Sequence, residues 1–212
     1  MQQRWLRLLE KFDKDSQTNR ETKKLYNACN EWVKRPDCPS AFNSFFSKLL
    51  GPRESGASDK VGGEGKYRKA TGSALEWFVY RLLKPRLPEF FLGLDVPIDD
   101  RLSLTPDISI WKNNNPCLLV ECKVGCDLPT LRAVAMEKYL LQRMGKTADL
   151  FVVTRSDLEK RHRKRSREFE ILSEFVDIHY LPIEIENSGK QLEDRVHRFL
   201  TGLEKRVHEE RL

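Results

Sequence analysis

Pro106-Asp107 is followed, after thirteen intervening residues, by Glu121-Cys122-Lys123. Two carboxylates and one ammonium in this order suit metal-assisted hydrolysis of a phosphodiester. Carboxylate oxygens bind a hard divalent cation such as Mg²⁺, which keeps waters and phosphate oxygens in its remaining positions. The cation lowers the pKa of a bound water and neutralises charge developing at phosphorus. A lysine beside it can hold or deprotonate the attacking water, and two carboxylates and a phosphate tolerate its charge. A structural use of the same residues also exists, with Asp107 capping a turn and Glu121–Lys123 forming a salt pair on an edge strand.

Elements that would position these groups are legible around them. The segment 70–85, ATGSALEWFVYRLLKP, reads as a helix with Leu75, Phe78, Val79, Leu82 and Leu83 on one stripe and Pro85 as its stop. FFLGLDVPI, near 90–98, is a plausible strand. PDISIWK is a second strand, with Ile108 and Ile110 on one face, and Asn113, Asn114 and Asn115 form a hairpin turn into a third, PCLLVECKVG. Residues two apart on a strand share a face, so Glu121 and Lys123 project together and Cys122 points away. The hairpin brings Asp107 opposite them. LPTLRAVAMEKYLLQRMG then reads as a helix with Ala133, Met136, Leu140 and Met144 on one face and Gly145 as its stop. ADLFVVTR is an apolar strand of a sheet interior, reached by a crossover that predicts parallel pairing. Leu118, Leu119 and Val120 also read as a central strand, where charged residues are costly unless paired or functional. That weighs against the edge-strand reading.

This constellation resembles the PD-(D/E)XK nuclease superfamily, whose members include restriction endonucleases, junction resolvases, repair exonucleases and transposon end-cleaving subunits. The resemblance spans about residues 70–154, and the superfamily's core order of helix, three strands, helix, strand agrees with the order read above. It implies an α/β fold with a restriction-endonuclease-like core, a mixed sheet flanked by helices. It implies that Asp107 and Glu121 ligate Mg²⁺ (or Mn²⁺ in its place), that the Cys122 carbonyl assists, and that Lys123 activates water. Many members carry a further carboxylate on the first helix, where Glu76 fits. Some place Gln or Tyr on the helix after the lysine, where Gln142 and Tyr139 are the candidates. The activity implied is a Mg²⁺-dependent DNA endonuclease leaving 5′-phosphate and 3′-hydroxyl ends, working in restriction or other anti-invader defence. Recombination or repair cleavage and a non-catalytic DNA-binding role on the same fold are the alternatives, and RNA as substrate is not separated from DNA. A homodimer is implied by analogy, since many such nucleases pair two protomers to cut both strands.

The remaining sequence divides into distinct segments. Residues 1–50 read as an all-helical N-terminal region. Its apolar stripes are Trp5, Leu8, Leu9 and Phe12, then Leu25, Cys29, Trp32 and Val33, then Phe42, Phe45, Phe46, Leu49 and Leu50. Residues 51–69 hold five of the eleven glycines and read as a flexible linker, or as a loop ordered by a phosphate backbone through Lys60, Lys66, Arg68 and Lys69. Residues 70–212 are then the nuclease-like domain. Beyond the fourth strand, 157–175 is helical and charged, VDIHYLPIEI is a short edge strand, and 190–210 is an amphipathic helix. Lys160, Arg161, Arg163, Lys164, Arg165 and Arg167 form a basic run that reads as a solvated face, as a phosphate-contacting stripe, or as a nuclear localisation signal.

Composition narrows the class further. The chain has 212 residues, 39% of them hydrophobic and 33% charged, which excludes an integral membrane protein. Eleven Phe, five Tyr and four Trp argue against full disorder. A formal charge of +6 is compatible with a polyanion partner without requiring one. The N-terminal residues MQQRWLRLLEKFDKD show no secretory pattern, and the five cysteines lack paired C-x-x-C spacing. A reduced, cytoplasmic chain without membrane contact is the expectation. The four histidines lack metal-ligand spacing, and no G-x-S-x-G, Walker A or dinucleotide motif occurs, so no nucleotide cofactor is expected.

Overall fold

The computed structural model describes residues 20–54, 64–97, 103–143, 149–154, 167–181 and 189–209, apart from single positions 36, 89, 94 and 126. The helix expected near Trp5–Phe12, the central part of the glycine-rich segment and most of the basic run lie outside these residues. The chain divides into two compact units, Met1–Leu82 with Pro182–Val196 and Leu83–Leu181 with His197–Leu212. Among the described residues, no helix is long and apolar enough to cross a membrane.

The first unit is helical. It contains α1 (Arg20–Lys34), α2 (Pro39–Glu54) and most of α3 (Glu64–Leu83). Its core is aromatic: Trp32, Phe42, Phe45, Phe46 and Phe78 are fully buried. Phe42 stacks on Phe78 with ring centroids 3.9 Å apart, and Trp32 stacks on Phe45 at 5.1 Å. These rings hold the helices of the unit together through burial and offset stacking. Val33, expected on the buried stripe, is exposed, because Cys29 and Trp32 already fill the contact with α2. Cys38 opens α2, its carbonyl accepting the Phe42 N–H at 3.0 Å, and Pro39 occupies the first helical position, where its missing N–H costs nothing.

The glycine-rich segment is shorter than its composition suggests. Helix α2 runs through Gly51 and Pro52 to Glu54, and α3 begins at Glu64, so residues 51–54 and 64–69 are helical rather than linker. Packing anchors both helices through Phe42–Phe46 and Leu75–Leu82, and anchored helices extend through residues of poor propensity. The boundary between units falls at Leu82 because Phe78 of α3 packs on Phe42.

The second unit is α/β. Its sheet has five strands in the order β1 (Phe91–Gly93), β4 (Ile108–Lys112), β5 (Asn115–Lys123), β6 (Asp149–Thr154) and β7 (Asp177–Tyr180). β1, β4 and β5 pair antiparallel, and β5, β6 and β7 pair parallel. The stretch expected as one strand near 90–98 is split. Its second part, β2 (Val96–Pro97), leaves the sheet and pairs with β3 (Ser103–Leu104). The asparagine turn forms at Asn113 and Asn114, with φ of 50° and 63°, the left-handed pair that a two-residue hairpin needs and that asparagine tolerates, while Asn115, expected in the turn, opens β5 opposite Lys112. β7 is the edge strand expected from VDIHY, and β5 lies at the sheet centre, as its apolar run requires.

Helices α4 (Leu128–Arg143) and α5 (Arg167–Phe175) cover one face of this sheet. Leu131, Val134, Ala135 and Leu141 of α4 and Phe169 of α5 pack with Leu119 of β5 and Val176. Asp127 caps α4, its Oδ1 accepting the Thr130 N–H at 3.0 Å. The buried face of α4 differs from the expected one. Met136 is 58% exposed and Ala133 is exposed, because this helix carries two apolar stripes and only the stripe through Leu131 and Val134 meets the sheet. Helix α6 (Gly189–Glu209) is amphipathic as read, with Leu192 and Val196 buried in the first unit and Phe199, Leu200, Leu203 and Val207 in the second.

Candidate functional site

β5 ends in Glu121, Cys122 and Lys123, beyond the last residue that pairs with β4, Val120 opposite Ile108. Asp107 sits immediately before β4 at the same end of the sheet. Its Oδ2 accepts the Cys122 N–H at 2.7 Å, continuing the ladder by one side-chain bond. The same oxygen lies 3.4 Å from Lys123 Nζ, and Lys123 Nζ also donates to Glu121 Oε2. One ammonium thus joins two carboxylates that are fourteen residues apart in sequence. Cys122 directs its N–H towards the β4 side, and strand geometry turns its carbonyl the same way.

Alternation puts Leu119, Glu121 and Lys123 on the face covered by α4. Glu121 is therefore nearly enclosed, its side chain 5% exposed, while Asp107 and Lys123 retain 21% and 31%. Burial and the adjacent Asp107 charge push the Glu121 carboxyl up to about 7, against the pull of Lys123. Burial alone would lower the Lys123 ammonium, but the two carboxylates outweigh it and raise Lys123 above the ordinary lysine range.

The sequence reading missed Glu137 of α4. It is half-buried, one helical turn from the core residues Val134 and Leu141. Burial raises its carboxyl, Lys123 opposes the rise, and Asp107 adds to it; the Glu137 charge in turn raises Glu121. Three carboxyl groups therefore act on one another around a single ammonium, so acid outnumbers base here. Among the described residues, no group of three or more His, Cys, Asp or Glu is arranged to hold a metal, so Glu137 acts on the others through its charge. Its position three residues after Val134 was the available signal, hidden by the rival apolar stripe.

The other expected site residues fall elsewhere. Tyr139 is 50% exposed and Gln142 is exposed. Two residues along a helix turn about 200°, so the flank presenting Glu137 turns Tyr139 away. Helix α4 brings Glu137 to the cluster in place of Tyr139 and Gln142. Glu76 is half-buried on α3, in the first unit. Of the basic run, Arg167 opens α5 and is exposed; Lys160, Arg161, Arg163, Lys164 and Arg165 lie outside the described residues. Compared with known proteins, the chain matches no family and no curated protein.

Proposed function

We propose that the chain is a Mg²⁺-dependent DNA endonuclease of the PD-(D/E)XK type, with its reaction centre at Asp107, Glu121 and Lys123. The observation that carries this reading is the convergence of these three groups at the carboxyl end of the central strand, beside a parallel pair, where open α/β sheets bind ligands. The element order α3, β1, β4, β5, α4, β6 supports a restriction-endonuclease-like core. Strand β2 with β3 is an insertion in it.

A divalent cation fits the chemistry of the cluster. A nearly enclosed carboxyl raised to about 7, beside two further carboxyls and one ammonium, marks a site short of positive charge. Asp107 and Glu121 would hold the ion, with the Cys122 carbonyl on the same side, and two carboxylates suffice for Mg²⁺ when water and phosphate fill the rest. Bound there, the ion supplies Lewis acidity to the phosphate and acidifies a water.

Lys123 is raised, not lowered, so it stays protonated at neutral pH. That favours a donor role: its ammonium orients the attacking water and the phosphate oxygens and does not take a proton. The Asp107 bond to the Cys122 N–H fixes the carboxylate to the strand end, so its geometry is set before substrate arrives. The basic run 160–167 would be a phosphate-contacting stripe. Defence against invading DNA is the biological role proposed, with pairing of two protomers as the route to cutting both strands.

Incubation with plasmid, linear and branched DNA, with and without Mg²⁺, tests the proposal. Cleavage that requires Mg²⁺ and disappears in Asp107→Ala, with DNA binding retained, is the expected result. A parent protein that neither cleaves nucleic acid nor gains thermal stability from Mg²⁺ or Mn²⁺ would sink it.

A further inference from the structure

Helices α1 and α2 form an antiparallel hairpin whose two sides differ sharply. One side buries Cys29, Trp32, Phe42, Phe45 and Phe46. The other side is an open groove of about 470 Å³ with a mixed lining, apolar along its floor and charged at its rims. From α1 and the residue after it, Lys24, Asn27, Glu31 and Arg35 face the groove at successive helical turns. From α2, Ser40, Ser44 and Lys48 face it in the same way, with Ala28 and Ala41 between the helices. The small alanines leave room for a ligand to approach the helix backbones.

The charges are spread along the groove. Lys24 and Arg35 are eleven residues apart, about 16 Å at the helical rise. Lys48, near the far end of α2, lies at the Lys24 end of the hairpin, and Ser44 shares a 3.3 Å contact with it. Three cations face one acid, and Glu31 is already engaged by Lys34 at 2.7 Å. Residues 20–54 hold seven Lys and Arg against four Asp and Glu, half of the chain's formal excess of +6. A single phosphate would occupy a fraction of a 16 Å run, whereas a nucleic-acid strand advances about 3.4 Å per nucleotide and would span it with roughly five. A second feature points the same way at the Arg35 end. Burial would raise the Cys38 thiol, yet the Ser40 hydroxyl, the Ala41 and Ser40 N–H groups and Arg35 bring it below the ordinary cysteine range. The start of α2 is therefore a place that favours negative charge.

We propose that the cation-rimmed groove between α1 and α2 is a binding surface for the phosphodiester backbone of DNA, contacted by Lys24, Arg35 and Lys48. The choice of DNA as the polyanion rests on the nuclease reading; the groove's preference for an extended polyanion does not. Binding here positions the backbone without reading sequence.

The test measures anisotropy of a short fluorescein-labelled DNA duplex with the full chain, in EDTA, across a salt series. Parent protein is compared with the triple variant Lys24→Gln, Arg35→Gln, Lys48→Gln. The variant is expected to bind on the order of ten-fold or more weakly, with its log–log salt slope shallower by about 2 to 3, because three fewer phosphates are neutralised. Glu31→Gln removes the one acid and is expected to bind more tightly than parent, an outcome that misfolding cannot produce. It keeps the proposal testable where the triple variant fails to melt cooperatively. An unchanged salt slope in the triple variant, or unchanged affinity in Glu31→Gln, overturns the proposal. So does displacement of the duplex by polyglutamate at lower concentrations than by unlabelled DNA of matched charge, which assigns the groove to acidic protein segments. Cleavage judged separately, by its loss in Asp107→Ala, keeps the fate of the reaction centre distinct from the fate of the groove.

Discussion

Glu121→Gln offers the sharpest check on the site, because a functional carboxylate and a structural salt pair predict opposite signs. In the folded protein Glu121 is raised from its ordinary 4.5 to about 7, first by burial and then by Asp107. A carboxylate whose pKa is higher in the folded state binds its proton more tightly there than in the unfolded chain. Stability therefore falls as pH rises from about 4.5 to about 7, and the full cost of the buried charge is carried above that window. A rise of this size corresponds to about 3 kcal/mol at ~1.4 kcal/mol per pKa unit, an upper bound because removing the charge also loosens Lys123. Glutamine keeps the shape and still accepts a hydrogen bond from Lys123, which retains Asp107. Without divalent cation at pH 8, Glu121→Gln is expected to be more stable than parent by about 1–3 kcal/mol, or roughly 2–4 °C in Tm for each kcal/mol. The advantage vanishes below pH 4.5, and Mg²⁺ raises the Tm of the parent but not of the variant. Thermal melts at several pH values, in EDTA and in Mg²⁺, measure all of this. A variant less stable than parent at pH 8 would show that Glu121 and Lys123 form a net favourable structural pair, and the reasoning would fail.

Three further outcomes follow from the same geometry. Lys123→Met removes the ammonium shared by the two carboxylates; cleavage is expected to be lost and metal-free stability at neutral pH to drop, with Mg²⁺ restoring it, and equal loss in both conditions would point to a purely structural lysine. Glu137→Gln leaves the liganding groups in place but weakens the local negative field, so Mg²⁺ affinity, read by calorimetry, is expected to fall by roughly 10-fold, the lower end of the scale of supporting groups around a metal site; parent-like affinity would remove Glu137 from the site. Phe42→Ala opens a cavity among Trp32, Phe46 and Phe78 and is expected to cost about 3–5 kcal/mol by chemical denaturation, and a loss under 1 kcal/mol would contradict a core built on that ring.

Much of the site was legible because local rules determine it. The period of a strand puts Glu121 and Lys123 on one face whatever surrounds them. Adjacent asparagines adopt the left-handed turn wherever a hairpin needs it, so Asn113 and Asn114 bring Asp107 back to the end of β5. An apolar run such as Leu118–Val120 calls for cover on both faces, which makes β5 central and the crossover to β6 parallel. What the sequence could not determine was the rotation of one element against another. Helix α4 carries two apolar stripes of similar weight, and only contact with Leu119 selects the one through Leu131 and Val134. That choice exposes Met136 and Tyr139 and turns Glu137 towards Lys123. The same reason governs the glycine-rich segment, where packing at Phe42 and Phe78 carries α2 and α3 into residues whose own propensities argue against helix. The clustering of acid at the end of β5 is likewise a tertiary fact, since it arises only when Asp107, the enclosed Glu121 and the half-buried Glu137 come together near one ammonium.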